Sequence, residues 1–152
     1  RSKSIERLKI PAVKVAEFFV RKFSKTDSPI THLKLQKMLY YAQGVGFGRS
    51  DVKLMEEGIE AWEHGPVVRE VYKAYNGNES KPLPGNLSLN LDEIEKNELI
   101  LNLLEETISL YGVYDAWYLR EKTHNEKPWA TTKRNEVISD ELMISFFKGI
   151  LV

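Results

Sequence analysis

The side chains that could do chemistry in this sequence are few, so they can be weighed one by one. Three histidines, His32, His64 and His124, are enough to begin a zinc site. None has a second histidine four residues away on a helix, and no HExxH run or carboxylate-rich ligand series accompanies them, so the sequence implies no metal. A serine nucleophile needs a histidine and an acid held around it, and there is no G-x-S-x-G elbow. The acid pairs Glu56-Glu57, Asp92-Glu93 and Glu105-Glu106 are adjacent in sequence. On a helix such neighbours point in different directions, which suits solvated faces better than paired acid-base work. The glycines of GVGFG, residues 44 to 48, lack the spacing of a dinucleotide loop and close a helical pattern. They read as helix termination with close backbone packing. No catalytic residue and no cofactor follow from these patterns.

Binding chemistry is better represented. Trp62, Trp117 and Trp129 fall outside the main helical stripes, and tryptophan anchors interfaces by burying a large apolar area while keeping one N–H donor. Tryptophan is also an ordinary core residue, and for any one of the three core packing is the favoured reading. Lys37 and Gln43 interrupt an otherwise apolar helix, and Tyr40 lies off its stripe beside Lys37. If exposed, these three would form a polar-aromatic contact face.

These residues must be positioned by helices. Pro11 suits a first helical turn, and Ala12, Ala16, Phe19, Val20 and Phe23 give a helix over about 11 to 24. Thr31 can cap a second helix striped by Leu35, Leu39, Ala42 and Gly46, with Met38, Tyr41 and Val45 beside it. The stretch EEGIEAWEH alternates Ile59 and Ala61 against Glu60 and Trp62, a short strand. Gly65 and Pro66 end it, and Pro66 is placed to open a helix burying Val68, Val71, Tyr72 and Tyr75, with Asn76-Gly77 as its stop. After the loop GNESKPLPGN, Asp92 with Glu95 matches a capping box for a long helix lined by Leu101, Leu104, Ile108 and Tyr111 and ended by Gly112. Asp115 can cap a short helix through Leu119. THNEKPW is loop-like, and Ser139 opens a last helix bearing Leu142, Phe146 and Ile150. The expected architecture is mainly α (α+β): five to six helices with a small β element before the Gly65-Pro66 helix.

The 152 residues, 42% of them apolar, suit one domain over 1–152 that buries its own core. Cysteine is absent, which removes disulfides and thiolate sites and fits a cytoplasmic setting. No apolar run approaches the roughly 20 residues of a membrane span, and RSKSIERLKIPAVK has no apolar signal core. The 22 basic and 22 acidic residues cancel, against a binder of nucleic acid that works by phosphate attraction. The charge is uneven, however: residues 1 to 25 hold eight Lys/Arg and two acids, and residues 79 to 106 hold seven acids and two lysines. That asymmetry marks either solvated helix faces or a surface for a charged partner.

Three stretches go beyond periodicity: LKLQKMLYYAQG at 33 to 44, IEAWEHGPVVREVY at 59 to 72 and LREKTHNEKPW at 119 to 129. In order and spacing they resemble the Panacea domain of SocA-like antitoxins, proteins often described as phage-associated. With the closing ISFF at 144 to 147, the similarity spans about 31 to 147. The positions shared with the family are Leu35, Lys37, Leu39, Tyr40, Tyr41 and Gln43; then Ala61, Trp62, Gly65, Pro66, Val67 and Tyr72; then Thr123, His124, Pro128 and Trp129. Met38 stands where leucine is more usual, GRSDVKLMEEG lacks the family's G-x-P-L-F, and residues 77 to 118 carry no family motif.

The resemblance implies a compact helical antitoxin that neutralises a cognate protein toxin by direct binding. One branch of the family acts instead as an adaptor that delivers its toxin to a bacterial protease. The expected partner contacts are Lys37, Tyr40, Gln43, Trp62, His64, His124 and Trp129, with Gly65, Pro66 and Tyr72 as framework. The alternatives are a DNA-binding regulator of its own operon, using the basic segment 1 to 25, and a phage or prophage accessory protein. An enzyme would need His64 or His124 in a chemical role. The sequence names neither the toxin nor the oligomeric state.

Overall fold

A computed structural model describes residues 4–75, 82–83 and 87–151. The first element among the described residues is a strand, β1 (Glu6–Ile10), that the sequence pattern does not reveal. Pro11 precedes α1 (Ala12–Ser24), whose buried side includes Ala12, Ala16, Phe19, Val20 and Phe23 as expected, with Val15 beside them. The Thr31 hydroxyl accepts from the Lys34 N–H and caps α2 (His32–Ser50). β2 (Val52–Met55) then pairs in parallel with β1, Glu6 opposite Val52 and Ile10 opposite Met55, with an irregularity between.

α2 is the axis of the molecule. From Leu35 to Phe47 every residue is buried, because α1, α5, α6, α8, β2 and β4 surround it. This corrects the single-stripe expectation: a helix covered on all sides has no polar face. GVGFG does not end α2 either; the helix runs through it to Ser50. Close packing is the reason for the glycines. A Cβ on Gly44 would sit 2.4 Å from the Phe147 ring, and one on Gly48 would sit 2.9 Å from the Phe147 carbonyl.

β3 (Glu60–Trp62) and β4 (Gly65–Val67) form an antiparallel hairpin, Trp62 opposite Gly65, with Glu63 and His64 at its turn. Pro66 therefore lies in a strand and does not open the helix. α3 (Arg69–Tyr75) starts after it, and the Val68 carbonyl accepts its first bonds from Val71 and Tyr72. Pro66 is tolerated because β4 is an edge of a two-stranded pair. The Asn76-Gly77 stop, and most of the loop after it, lie outside the described residues.

The capping box at Asp92 and Glu95 does not form. α4 (Asp92–Glu95) is a single turn without a side-chain cap, and α5 (Glu98–Tyr111) starts separately, capped by Asn97 on the Ile100 N–H. Gly112 follows α5 as expected. α6 (Ala116–His124) is capped by Asp115 on Tyr118 and runs past Leu119 into THNEKPW. A further turn, α7 (Lys127–Ala130), accommodates Pro128 in its first positions. α8 (Asp140–Ile150) is capped by Ser139 on Leu142. Its buried side is Met143 and Phe147, with Leu142 and Phe146 partly buried and Ile150 exposed. The described residues thus hold eight helices and two two-stranded sheets, a mainly α fold with a small β component.

The charge asymmetry has a structural answer. Lys14 pairs with Glu93 at 2.6 Å, Lys22 with Glu105 at 3.0 Å, and Arg7 with Glu56. The basic start of the chain lies against acids from its middle.

Candidate protein-binding site

The second and third motifs meet in space. The Trp129 indole N–H donates to the Trp62 carbonyl at 2.8 Å. His124 stacks on Trp129, ring centres 3.9 Å apart and 6° from parallel. The Arg134 guanidinium lies 3.6 Å from the same ring centre and donates to the Trp129 carbonyl. Two groups that close to one ring centre must occupy opposite faces, so the indole is sandwiched between imidazole and guanidinium. Burial, then the charge of Arg120, pushes the His124 pKa below the ordinary histidine value.

Trp62 is held from the hairpin side. Its indole N–H donates to Glu60 at 2.8 Å, Glu60 also accepts from Arg69, and the ring packs 5.1 Å from Tyr72. The Arg69 hydrogen bond holds the Glu60 carboxyl below its usual pKa. His64 is exposed at the hairpin turn and accepts at Nδ1 from Arg120 Nε at 3.2 Å. Trp62, His64, His124 and Trp129, with Arg120 and Arg134, thus form one partly exposed aromatic and cationic surface. Trp117, at 61% exposure, carries Arg120 over its ring at 5.5 Å.

The remaining expected contacts are in the interior, and the expectation of a polar-aromatic face on α2 is corrected. Lys37 is 1% exposed and passes under the hairpin: a Cβ on Gly65, which has φ +117°, would sit 2.6 Å from Lys37 Cε. Tyr40 and Tyr41, both 0% exposed, donate their hydroxyls to the Glu126 carboxylate at 3.0 and 3.1 Å. Gln43 accepts from the Met55 N–H and donates to the Met55 carbonyl, both at 2.9 Å. Tyr40, Tyr41 and Gln43 therefore each have an internal hydrogen-bonding task, which is what makes their burial tolerable.

Glu126 and Gln36 escaped the sequence reading. Burial raises the Glu126 pKa, while Lys122 and the two tyrosine hydroxyls oppose the shift. Gln36 sits seven residues before Gln43 on the same face of α2. It accepts from the Val68 N–H at 2.8 Å, and its amide nitrogen lies 3.0 Å from His32 Nε2. That spacing of two glutamines was the available signal.

His32, Gln36, Lys37, Trp62, His64 and Tyr72 contribute to a cavity of about 270 Å³ between α2 and the hairpin. The backbone fixes the protonation of its histidine. Because Gln36 Oε1 accepts from Val68, its amide nitrogen is the donor toward His32 Nε2. His32 is then a neutral imidazole with its proton on Nδ1. Burial and the Lys37 charge, which push the His32 pKa down to about 4, agree with that state. The Nδ1 atom is buried and has no hydrogen-bond partner among the described residues.

The sequence profile of the family described as Antitoxin SocA-like, Panacea domain, matches residues 35–130, well over half of the chain. The chain belongs to this family. A relative named Antitoxin SocA, from Caulobacter vibrioides (strain NA1000 / CB15N), is 36% identical over 72 residues, which is 47% of this chain and 38% of the relative. The chain thus spans well under half the length of that relative. No solved structure matches. The three Panacea-like stretches map onto α2, the hairpin with α3, and α6 with α7, and the Trp129–Trp62 bond joins the last two. Among the described residues no three His, Cys, Asp or Glu side chains are grouped to hold a metal ion, and no helix is long and apolar enough to cross a membrane.

Proposed function

We propose that this Panacea-domain protein is an antitoxin that neutralises a cognate protein toxin by binding it directly, in a cytoplasmic setting and without catalysis. Family membership carries the reading, and the partly exposed surface around Trp62, His64, His124 and Trp129 is where we place the contact. Several features support that placement. Aromatic rings and arginines are the side chains that most often anchor interfaces. Here they are held by internal bonds before any partner arrives, so less side-chain freedom is lost on docking. Lys37, Tyr40 and Gln43 then act from within, supporting the surface.

The test is co-expression with the product of the neighbouring gene. Wild type is expected to restore growth, and a Trp62→Ala, His64→Ala double variant that remains folded is expected to lose most of the rescue. Unimpaired rescue by that variant overturns the placement; absence of rescue by wild type overturns the antitoxin reading. Toxin half-life separates occlusion from delivery to a protease, since occlusion alone leaves the half-life unshortened. One observation counts against the operon-regulator alternative: among the described residues of the basic segment, Arg7, Lys14, Arg21 and Lys22 are paired with Glu56, Glu93, Glu17 and Glu105, which reduces the charge they offer to phosphates.

A further inference from the structure

The three tryptophans are held differently. Trp62 and Trp129 give their indole N–H groups to acceptors inside the chain, Glu60 and the Trp62 carbonyl. Trp117 is 61% exposed, and its N–H has no acceptor among the described residues. A single exposed apolar side chain needs no explanation, but Trp117 is not single. Of the eight large apolar side chains exposed among the described residues, four lie where α5 gives way to α6: Leu110, Val113, Trp117 and Tyr118.

This corner is ordered and joined to the motif surface. The Arg120 guanidinium lies 5.5 Å from the Trp117 ring centre, and it is itself bonded to Glu121 at 2.8 Å and to His64 at 3.2 Å. Tyr118 stacks on Tyr114, ring centres 4.3 Å apart. Trp117, Arg120 and His124 stand at i, i+3 and i+7, so they share one face of α6. Arg120, in contact with both Trp117 and His64, thus carries the exposed corner onto the surface of Trp62, His64, His124 and Trp129.

We infer that Trp117 is the anchor of the toxin interface, its indole entering an apolar pocket on the toxin whose wall supplies an acceptor for the N–H. This rests on the antitoxin reading and adds the chemistry of the partner's surface. Tryptophan is among the side chains that most often dominate interface energy, in the form of a desolvated ring inside a polar rim. Asp115 and Glu121, both exposed, stand beside it in α6 as rim. Arg120 restrains the ring before docking, which lowers the entropy lost on binding. A second copy is the poorer occupant. Four side chains present a few hundred Å², whereas a stable dimer takes about 800 Å² from each copy, and the rest of this α6 face is the one assigned to the toxin.

The experiment uses the full chain, labelled with fluorotryptophan, and the protein encoded by the neighbouring gene. The ¹⁹F resonance missing from Trp117→Phe belongs to Trp117. On titration with the neighbouring protein that resonance is expected to shift saturably and to lose the H₂O/D₂O sensitivity of an exposed ring. Trp117→Ala, with an unchanged thermal melt, is expected to raise the Kd about thirtyfold or more. Trp117→Phe, which keeps a ring and loses the N–H, is expected to raise it about three- to tenfold. Leu99→Ala, at an exposed position near the start of α5, is expected to leave the Kd unchanged. A complex that forms with the Trp117 resonance unmoved, or wild-type affinity in either Trp117 variant, overturns the inference and leaves the antitoxin reading intact. A Trp117 signal that changes with the concentration of this chain alone assigns the corner to a second copy and also overturns it. Absence of any complex with wild type overturns the antitoxin reading, and the inference with it.

Discussion

Gln36 and Gln43 stand two turns apart on one face of α2, and each holds the backbone of a single residue: Gln36 holds Val68 and Gln43 holds Met55. The hairpin and its approach, residues 56 to 67, are therefore fastened to the central helix at both ends. The clips work like short β-ladders made by side chains, and they let an irregular segment lie against a buried helix without orphaned peptide groups. Gln43→Leu nearly preserves the volume but leaves the Met55 N–H and carbonyl unpaired. A loss of about 2–4 kcal/mol is expected, read from the urea midpoint. A loss below about 0.5 kcal/mol would show that water replaces the clip.

Gly65 reaches φ +117°, where side chains are strained, and its missing Cβ makes room for Lys37 Cε. Gly65→Ala is expected to cost about 2–4 kcal/mol by combining backbone strain with displacement of a buried lysine. Gly149, in α8, has nothing within 4 Å of an added Cβ. Gly149→Ala is expected to stabilise by a few tenths to about 1 kcal/mol through helix propensity. Thermal melts of the two variants should move in opposite directions.

Glu126 accepts both the Tyr40 and Tyr41 hydroxyls in the core. Glu126→Ala strands two buried hydroxyls and opens a space, with an expected cost of about 3–5 kcal/mol. Glu126→Gln keeps one acceptor oxygen and should cost less than half as much. Equal destabilisation by the two would mean that the charge beside Lys122, 3.6 Å away, matters more than the tyrosine bonds.

What could be read from the sequence was local chemistry. Thr31, Asp115 and Ser139 each cap the helix that follows, because capping involves only the next three residues. Asp92 and Glu95 carried the same signature and failed, because the chain breaks after one turn and Asn97 caps the next helix. Pro66 was misread because pairing between β3 and β4 overrode its helix-start preference. β1 was invisible, since its partner β2 lies some 45 residues away in sequence, beyond any local pattern. The same division holds at the site. Trp62, His64, His124 and Trp129 stood out by type and motif, whereas His32, Gln36 and Glu126 acquire meaning only from what the fold places against them. The burial of Lys37, Tyr40 and Gln43 was illegible because one stripe of a helix does not reveal that its other sides are also covered.

His32 makes stability depend on pH in a definite direction. Its pKa falls from 6.5 to about 4 on folding, with burial as the first cause and the Lys37 charge as the second. Between those values the unfolded chain binds a proton that the native chain does not, so stability rises with pH across the window and is lost as pH falls through it. The contribution is up to about 3 kcal/mol, complete above the unfolded value and gone below the folded one. Glu126 works in the opposite sense: its raised pKa lets the native state keep a proton that the unfolded state has released, which favours folding on the acidic side. The total slope mixes these two with the lowered pKa values of His124 and Glu60, and comparison with His32→Gln isolates the His32 part. Urea unfolding from about pH 7 to about pH 4.5 is expected to show a marked loss of stability for wild type. The loss should be smaller, or reversed, in His32→Gln, where the glutamine has no proton to take up. Parallel curves for the two proteins would mean that His32 is protonated in the folded state. That would place a proton on Nε2 facing the Gln36 amide, against the donor direction that Val68 imposes.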